Sequence, residues 1–139
     1  MNVHFSSRKN DWATPWALFR HWDAVQGPFS LDVCASAENA KCERYFSPEQ
    51  DGLAHAWDGV CWMNPPYGRA IGRWIGKAAA EVRAGRARRV VCLIPARTDT
   101  IWWHEYIMPR GVVHFLRGRV RFEGALYPAP FPSAVVVFT

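Results

Sequence analysis

The sequence predicts a three-layer α/β fold with a β-hairpin-like C-terminal end. Three observations carry this. Strand-like and helix-like segments alternate through the first two-thirds of the chain, as in a sheet covered by helices. Residues 90–94 are apolar without alternation, which marks a strand buried on both faces. The last third is dominated by strand-like runs and closes on the apolar residues 134–138. A length of 139 residues suits one domain with a single core, and no internal repeat or low-complexity segment divides it.

Residues 1–11 are polar, with Ser6, Ser7, Arg8 and Lys9. They read as a loose arm able to touch phosphates, or as a frayed terminus. Thr14-Pro15 reads as a helix N-cap followed by proline at the first helical position. That helix runs to about Asp23, with Leu18, Phe19 and Trp22 on one face, and Gly27-Pro28 ends it. Residues 29–34 form the first strand. Asp32 stands inside it, and a carboxylate in an apolar strand is costly unless it caps something polar. It is either a satisfied strand-end acid or one that faces a ligand. Ala35, Ser36 and Ala37 then turn toward a short helix, small enough for a cofactor to approach the backbone. Arg44-Tyr45-Phe46 is a short second strand, and residues 47–58 form a polar loop containing Asp51-Gly52-Leu53.

Residues 60–63 are the next buried strand. Ile71, Trp74, Ile75, Ala78, Ala79 and Val82 recur at helical spacing, so residues 70–84 form an amphipathic helix capped by Gly85. Arg69, Arg73 and Lys77 share one stripe, which a solvated face explains. Residues 89–95 are a central strand, and residues 98–107 an aromatic-rich short helix or loop. Residues 112–116 and 120–123 read as strands joined by a turn at 117–119. A proline-rich loop, 124–132, leads to the terminal strand, whose apolar continuity places it inside the sheet rather than at an edge. On an extended 117–123, Arg117, Arg119 and Arg121 would share one face, as a phosphate rail or as a solvated edge.

The net charge is +5, from 17 basic and 12 acidic residues, which suits a nucleic-acid partner without requiring one. No apolar run has the length of a membrane span and no signal peptide is visible, so a cytoplasmic protein with no membrane partner is expected. Cys34, Cys42, Cys61 and Cys92 form no Cys-x-x-Cys pair and read as reduced core cysteines. The five histidines lack metal-ligand spacing, and no metal is expected.

The chain is organised around Asn64-Pro65-Pro66-Tyr67. Two prolines forbid continuation of strand 60–63, since neither has a backbone N–H and both fix φ. The strand therefore stops on an amide, a stiff backbone with free carbonyls and an aromatic ring. Carboxyl ends of strands are where open α/β sheets bind ligands. These groups suit methylation of an exocyclic amine. The Asn64 side-chain oxygen and the Pro65 carbonyl would accept the two amino hydrogens and aim the nitrogen lone pair at a methyl donor, without a strong base. Tyr67 would stack on a base flipped from the duplex. An ordinary turn after a strand is the competing reading. A polyproline II ligand is the other, although the usual Pro-Pro-x-Tyr spacing is absent.

Taken together, these segments resemble the small phage-type (Dam-like) DNA N6-adenine methyltransferases over most of the chain. The resemblance rests on Asp11-Trp12-Ala13-Thr14-Pro15, on residues 31–39, on Asp51-Gly52-Leu53, on Asn64-Pro65-Pro66-Tyr67, on residues 93–100 and on Gly118-Arg119, in this order. It implies a single S-adenosylmethionine-dependent methyltransferase domain over residues 1–139 with a Rossmann-like sheet. Asn64, Pro65, Pro66 and Tyr67 correspond to the catalytic motif. Trp12, Thr14 and Pro15 correspond to the N-terminal cofactor-contacting segment, and Asp32, Ala35 and Ser36 to the strand and turn beneath the methionine moiety. Asp51 corresponds to the acid that accepts from the cofactor's adenine amino group. Arg97, Arg117 and Arg119 are the expected DNA contacts, on double-stranded DNA.

The sequence departs from the larger methyltransferases in lacking a glycine-rich turn after the first strand. No segment is long enough for a separate target-recognition domain. Target recognition then falls to loops such as 97–104 and 124–133, to a second subunit in a homodimer, or is weak. Site-specific adenine-N6 methylation of DNA is the expected activity, in restriction–modification or on phage DNA. Two alternatives stay open: an N-methyltransferase acting on RNA or protein glutamine, and a non-catalytic DNA-binding module of the same fold.

Overall fold

The computed structural model describes residues 12–139, so the polar arm and Asp11 lie outside the described residues. Five strands, β1 (Leu31–Asp32), β2 (Gly59–Met63), β3 (Ala87–Pro95), β4 (Val112–Phe115) and β5 (Ser133–Phe138), form one mixed sheet. Their order is β1-β2-β3-β5-β4. β1, β2 and β3 are parallel, and β5 runs antiparallel to both β3 and β4. The terminal strand is thus inserted, as its unbroken apolar run requires, with all six residues buried.

Two longer helices cover this sheet. α1 (Trp16–Gln26) buries Phe19 and Trp22. Phe19 meets Trp62 edge-on at 5.4 Å and Trp22 lies 5.1 Å from His114, which sets α1 over β2 and β4. α2 (Ile71–Arg83) buries the apolar stripe that its sequence spacing indicates. It ends as glycine at this place dictates: Gly85 has φ +78°, its N–H donates to Val82 O, and the Arg86 N–H donates to Glu81 O. This is the 5→2, 6→1 pair of a Schellman end.

Several sequence expectations are corrected here. Thr14 does not cap α1. The helix starts one residue later, Pro15 holds the capping position, and no side chain caps it. Residues 35–39 form a turn and do not continue into a helix. The second strand is a single parallel bridge, Asp32 to Tyr45. The aromatic segment after β3 is helical, with a π-helical turn at Trp103–Ile107 continued by Met108–Arg110.

Residues 120–123 are not a strand. Their backbone is used elsewhere: Glu123 N donates to Ala13 O and Val120 O accepts from Ala129 N. Phe122 is drawn into a cluster with Trp12, Tyr67 and Phe131. The hairpin-like end is therefore β4 against β5 across a long connection, and the arginines at 117, 119 and 121 lie on a loop. Cys42, Cys61 and Cys92 are free thiols. Burial pushes the Cys61 thiol up to about 12 and Cys92 further, so both stay neutral in the core. Among the described residues no helix is long and apolar enough to cross a membrane.

Candidate active site

The carboxyl ends of β1 and β2 open onto a cleft of about 180 Å³. The segment before α1 closes one side of it. Into its walls come Trp12, Thr14, Asp32, Ala35, Ser36, Asn64, Pro65 and Pro66, which are most of the residues that the sequence nominates.

Asn64 sits where the proline pair stops β2. Its Nδ2 donates to the Trp12 carbonyl and, at 3.0 Å, to Thr14 Oγ1. A carbonyl can only accept, so the amide orientation is fixed by its partner. Oδ1 is left buried and without a hydrogen-bond partner among the described residues. A buried acceptor in that condition costs free energy unless a ligand donor meets it. Trp62 lies two residues earlier on the same strand, hence on the same face. Its Nε1 is also buried and unpartnered among the described residues, and Trp62 is among the residues of the cleft wall.

Asp32 is 3% exposed. Its carboxylate accepts from Cys34 N at 3.3 Å and Lys41 N at 3.0 Å. Burial pushes its carboxyl up to about 6, against the lowering effect of those two N–H groups and of the Lys41 charge. No ion pair to it occurs among the described residues. The Lys41 ammonium instead lies 4.1 Å from the Trp16 ring centroid and donates to Asn39 O. Burial lowers the Lys41 pKa, partly offset by Asp32 and Glu123.

Other nominated residues lie elsewhere. Pro15 is the residue before α1. Asp51 is exposed with φ +58°, and its Oδ1 accepts from Leu53 N at 3.1 Å. Gly52 explains that tight segment: a Cβ there would stand 2.2 Å from Val33 O. Tyr67 is 5% exposed and outside the cleft wall. Its hydroxyl donates to Leu93 O at 2.9 Å, tying the proline turn to β3. Burial raises its pKa well above the ordinary value. Its ring meets Phe122 and Phe131 edge-on. Arg97 is exposed and lies 5.9 Å from the Phe131 ring centroid. Arg117 and Arg119 are exposed on the β4–β5 connection.

Cys34 lies within the nominated strand and turn, whereas sequence reasoning missed Asn39, Lys41, Pro48 and Trp62 as cleft residues. Trp62 was legible from its two-residue offset to Asn64. Asn39 was legible as a turn-closing side chain, since its Oδ1 accepts from Ser36 N at 2.8 Å. Lys41 carries no local signal, because its place depends on the Asp32–Tyr45 bridge.

Comparison with known proteins adds to this geometry. The family described as DNA N-6-adenine-methyltransferase (Dam) matches residues 3–132. The chain is 31% identical over 119 residues to the DNA N-6-adenine-methyltransferase of Haemophilus phage HP1, covering 84% of this chain and 68% of that protein. It is 31% identical over 96 residues to the DNA N-6-adenine-methyltransferase of Escherichia phage T1, covering 68% of this chain and 39% of that one.

Proposed function

This chain belongs to the DNA N-6-adenine-methyltransferase (Dam) family, and from that premise we propose that it methylates the exocyclic amine of adenine in double-stranded DNA with S-adenosylmethionine as donor. The observation that carries the reading is the Asn64 amide, whose nitrogen is held by Trp12 and Thr14 while its buried oxygen is left for an incoming donor.

The cleft residues fit the cofactor. A buried carboxylate without an ion pair, Asp32, suits a cationic ligand. The small Ala35–Ser36 turn lies in the cleft wall, where a ligand can approach its backbone. When bound, S-adenosylmethionine supplies an electrophilic methyl group on a sulfonium. The assignment of Asp51 to the cofactor's adenine amino group rests on the family motif; its Oδ2 is the atom that would serve. The three-layer Rossmann-like reading of the fold is supported by the parallel β1-β2-β3 core and the two flanking helices.

The protein's own part is positioning. A target adenine must leave the stack for its amine to reach Asn64. Asn64 Oδ1 and the Pro65 carbonyl accept its two N–H groups and turn the lone pair toward the methyl donor. The nitrogen gains the methyl group and one N–H proton passes to solvent, so no side chain acts as a strong base. Tyr67 anchors the turn through Leu93, and its ring becomes a stacking surface only if Phe122 and Phe131 withdraw.

The test is single-turnover transfer from labelled S-adenosylmethionine to DNA, with RNA and total protein as parallel acceptors. Removal of one preorganised transition-state hydrogen bond costs about 10²–10³ in rate. Asn64→Ala should fall that far, with a lowered melting temperature because the bonds to Trp12 and Thr14 are lost but with the protein still folded and able to bind S-adenosylmethionine, and Asn64→Asp, which keeps an acceptor, should retain measurable transfer. N6-methyladenine should appear in nucleoside digests. Label only in RNA or protein, only N4-methylcytosine, or an Asn64→Ala variant as fast as the unsubstituted protein would overturn the proposal.

A further inference from the structure

The β4–β5 connection carries two large apolar side chains in water, Leu126 at 79% and Tyr127 at 77% exposure. They are not on a slack loop. Both legs below them are fastened to the wall of the cleft: Glu123 N donates to Ala13 O at 3.0 Å, and Phe122 and Phe131 each lie 5.3 Å from the Trp12 ring. The loop is also braced internally. Arg121 Nε donates to Ala125 O at 3.0 Å, Ala129 N to Val120 O at 2.7 Å, and Ala125 N to Phe122 O at 3.0 Å. Pro128, Pro130 and Pro132 stiffen it further. A braced loop whose tip is apolar does not hide that tip in the core, so it holds the pair ready for another surface.

The surroundings say which kind. Arg97, Arg117, Arg119 and Arg121 are all exposed around the loop, against two exposed acids, Asp99 and Glu123. No ion pair uses any of these arginines among the described residues. Apolar side chains flanked by cations match duplex DNA, where arginines meet phosphates and an apolar wedge enters between base steps.

We infer that Leu126-Tyr127 is a DNA wedge that unstacks the duplex beside the target base and fills the gap left when it rotates into the cleft. This deepens the proposed function and rests on it: Asn64 needs a base outside the stack. Because the legs attach at Trp12 and Ala13, the wedge is held in fixed register to Asn64.

The experiment uses the full chain on unmethylated bacterial genomic DNA and reads permanganate reactivity of thymines, which rises where stacking is lost. With the unsubstituted protein reactivity should rise several-fold over free DNA. The double variant Leu126→Ala/Tyr127→Ala should return it to the free-DNA level and slow duplex methylation at least ten-fold, with melting temperature unchanged because both side chains are exposed. Leu126→Ala/Tyr127→Trp, which puts a ring back at the tip of the double variant, should restore both. Asn64→Ala should keep the reactivity while losing methylation, which separates the wedge from the chemistry. The wedge is refuted if no thymine becomes reactive with the unsubstituted protein, or if the double variant unstacks DNA and methylates it as well as that protein does. Reactivity without any methylation, in contrast, leaves the wedge standing and removes the enzymatic reading.

Discussion

Two carboxylates in this protein are almost equally hidden from water, Asp32 at 3% and Glu81 at 2% exposure, and they are treated oppositely. Glu81 is fully engaged. It accepts from Trp57 N at 2.7 Å, from Arg86 Nε and Nη2 at 2.9 and 2.7 Å, and lies 3.5 Å from Lys77 Nζ. Burial alone would raise its pKa, but Arg86, the Trp57 N–H and Lys77 together hold it below the ordinary value. Asp32 receives only two backbone N–H groups, and burial wins. A structural acid brings its cations with it. The cleft acid feels Lys41 only at a distance and has no ion pair among the described residues, as a residue that awaits a cationic ligand would. The Glu81 site ties α2 to the loop before β2, where Trp57 Nε1 also donates to Gly52 O and Trp57 stacks on Trp74.

The contrast is sharpest in pH dependence. Asp32 binds its proton more tightly in the folded state, with a pKa near 6 against 3.8 unfolded. Its contribution to stability is therefore lost as pH rises from about 4 to about 6, by about 3 kcal/mol. In Asp32→Asn that pH-dependent part should vanish, so the variant gains on the unsubstituted protein across this window, whatever constant offset the amide adds. Urea denaturation at several pH values measures it, and parallel curves would remove Asp32 from the contrast. Saturating S-adenosylmethionine should narrow the gap by supplying the missing cation.

Glu81→Gln should act with the opposite sign. Its folded pKa is depressed, so its stabilisation is present above the unfolded value and is lost as pH falls through the folded one. At pH 7 the variant should lose about 1.5–3 kcal/mol, the range for hydrogen bonds to a charged group, and the loss should disappear in acid. A loss that persists unchanged at low pH would mean that shape, not charge, is what Glu81 supplies.

A smaller effect separates anchoring from stacking in the catalytic turn. Tyr67→Phe keeps the ring and removes the bond to Leu93 O, at a cost of roughly 1 kcal/mol. The melting temperature should fall while affinity for S-adenosylmethionine stays within twofold by calorimetry. An unchanged melting temperature would show that the hydroxyl does not hold the turn. The smallest effect belongs to the surface pair Arg44–Asp58, at 2.8 Å with both side chains more than half exposed. Asp58→Asn should change stability by less than about 1 kcal/mol, and less still in high salt. It is the control that shows what a carboxylate contributes when water can reach it.

The sequence by itself determined the elements whose signal is local. The apolar period of residues 71–83 gives α2, Gly85 gives its end, and unbroken apolar runs give β3 and the inserted β5. The double proline places Asn64 at the end of β2. The same local reasoning assigned a strand at 120–123, where Phe122 was drawn into an aromatic cluster and the backbone bonded to Ala13 and Ala129 instead. It made Thr14 a helix cap, whereas its hydroxyl accepts from Asn64, fifty residues away in sequence. It read Tyr67 as a stacking ring without its packing against Phe122 and Phe131, and did not see Glu81, whose partner Trp57 lies 24 residues earlier. What tertiary structure alone decided is which donor meets which acceptor across the sheet. Those choices depend on which chain segments burial brings together, and residue spacing along one segment does not encode them.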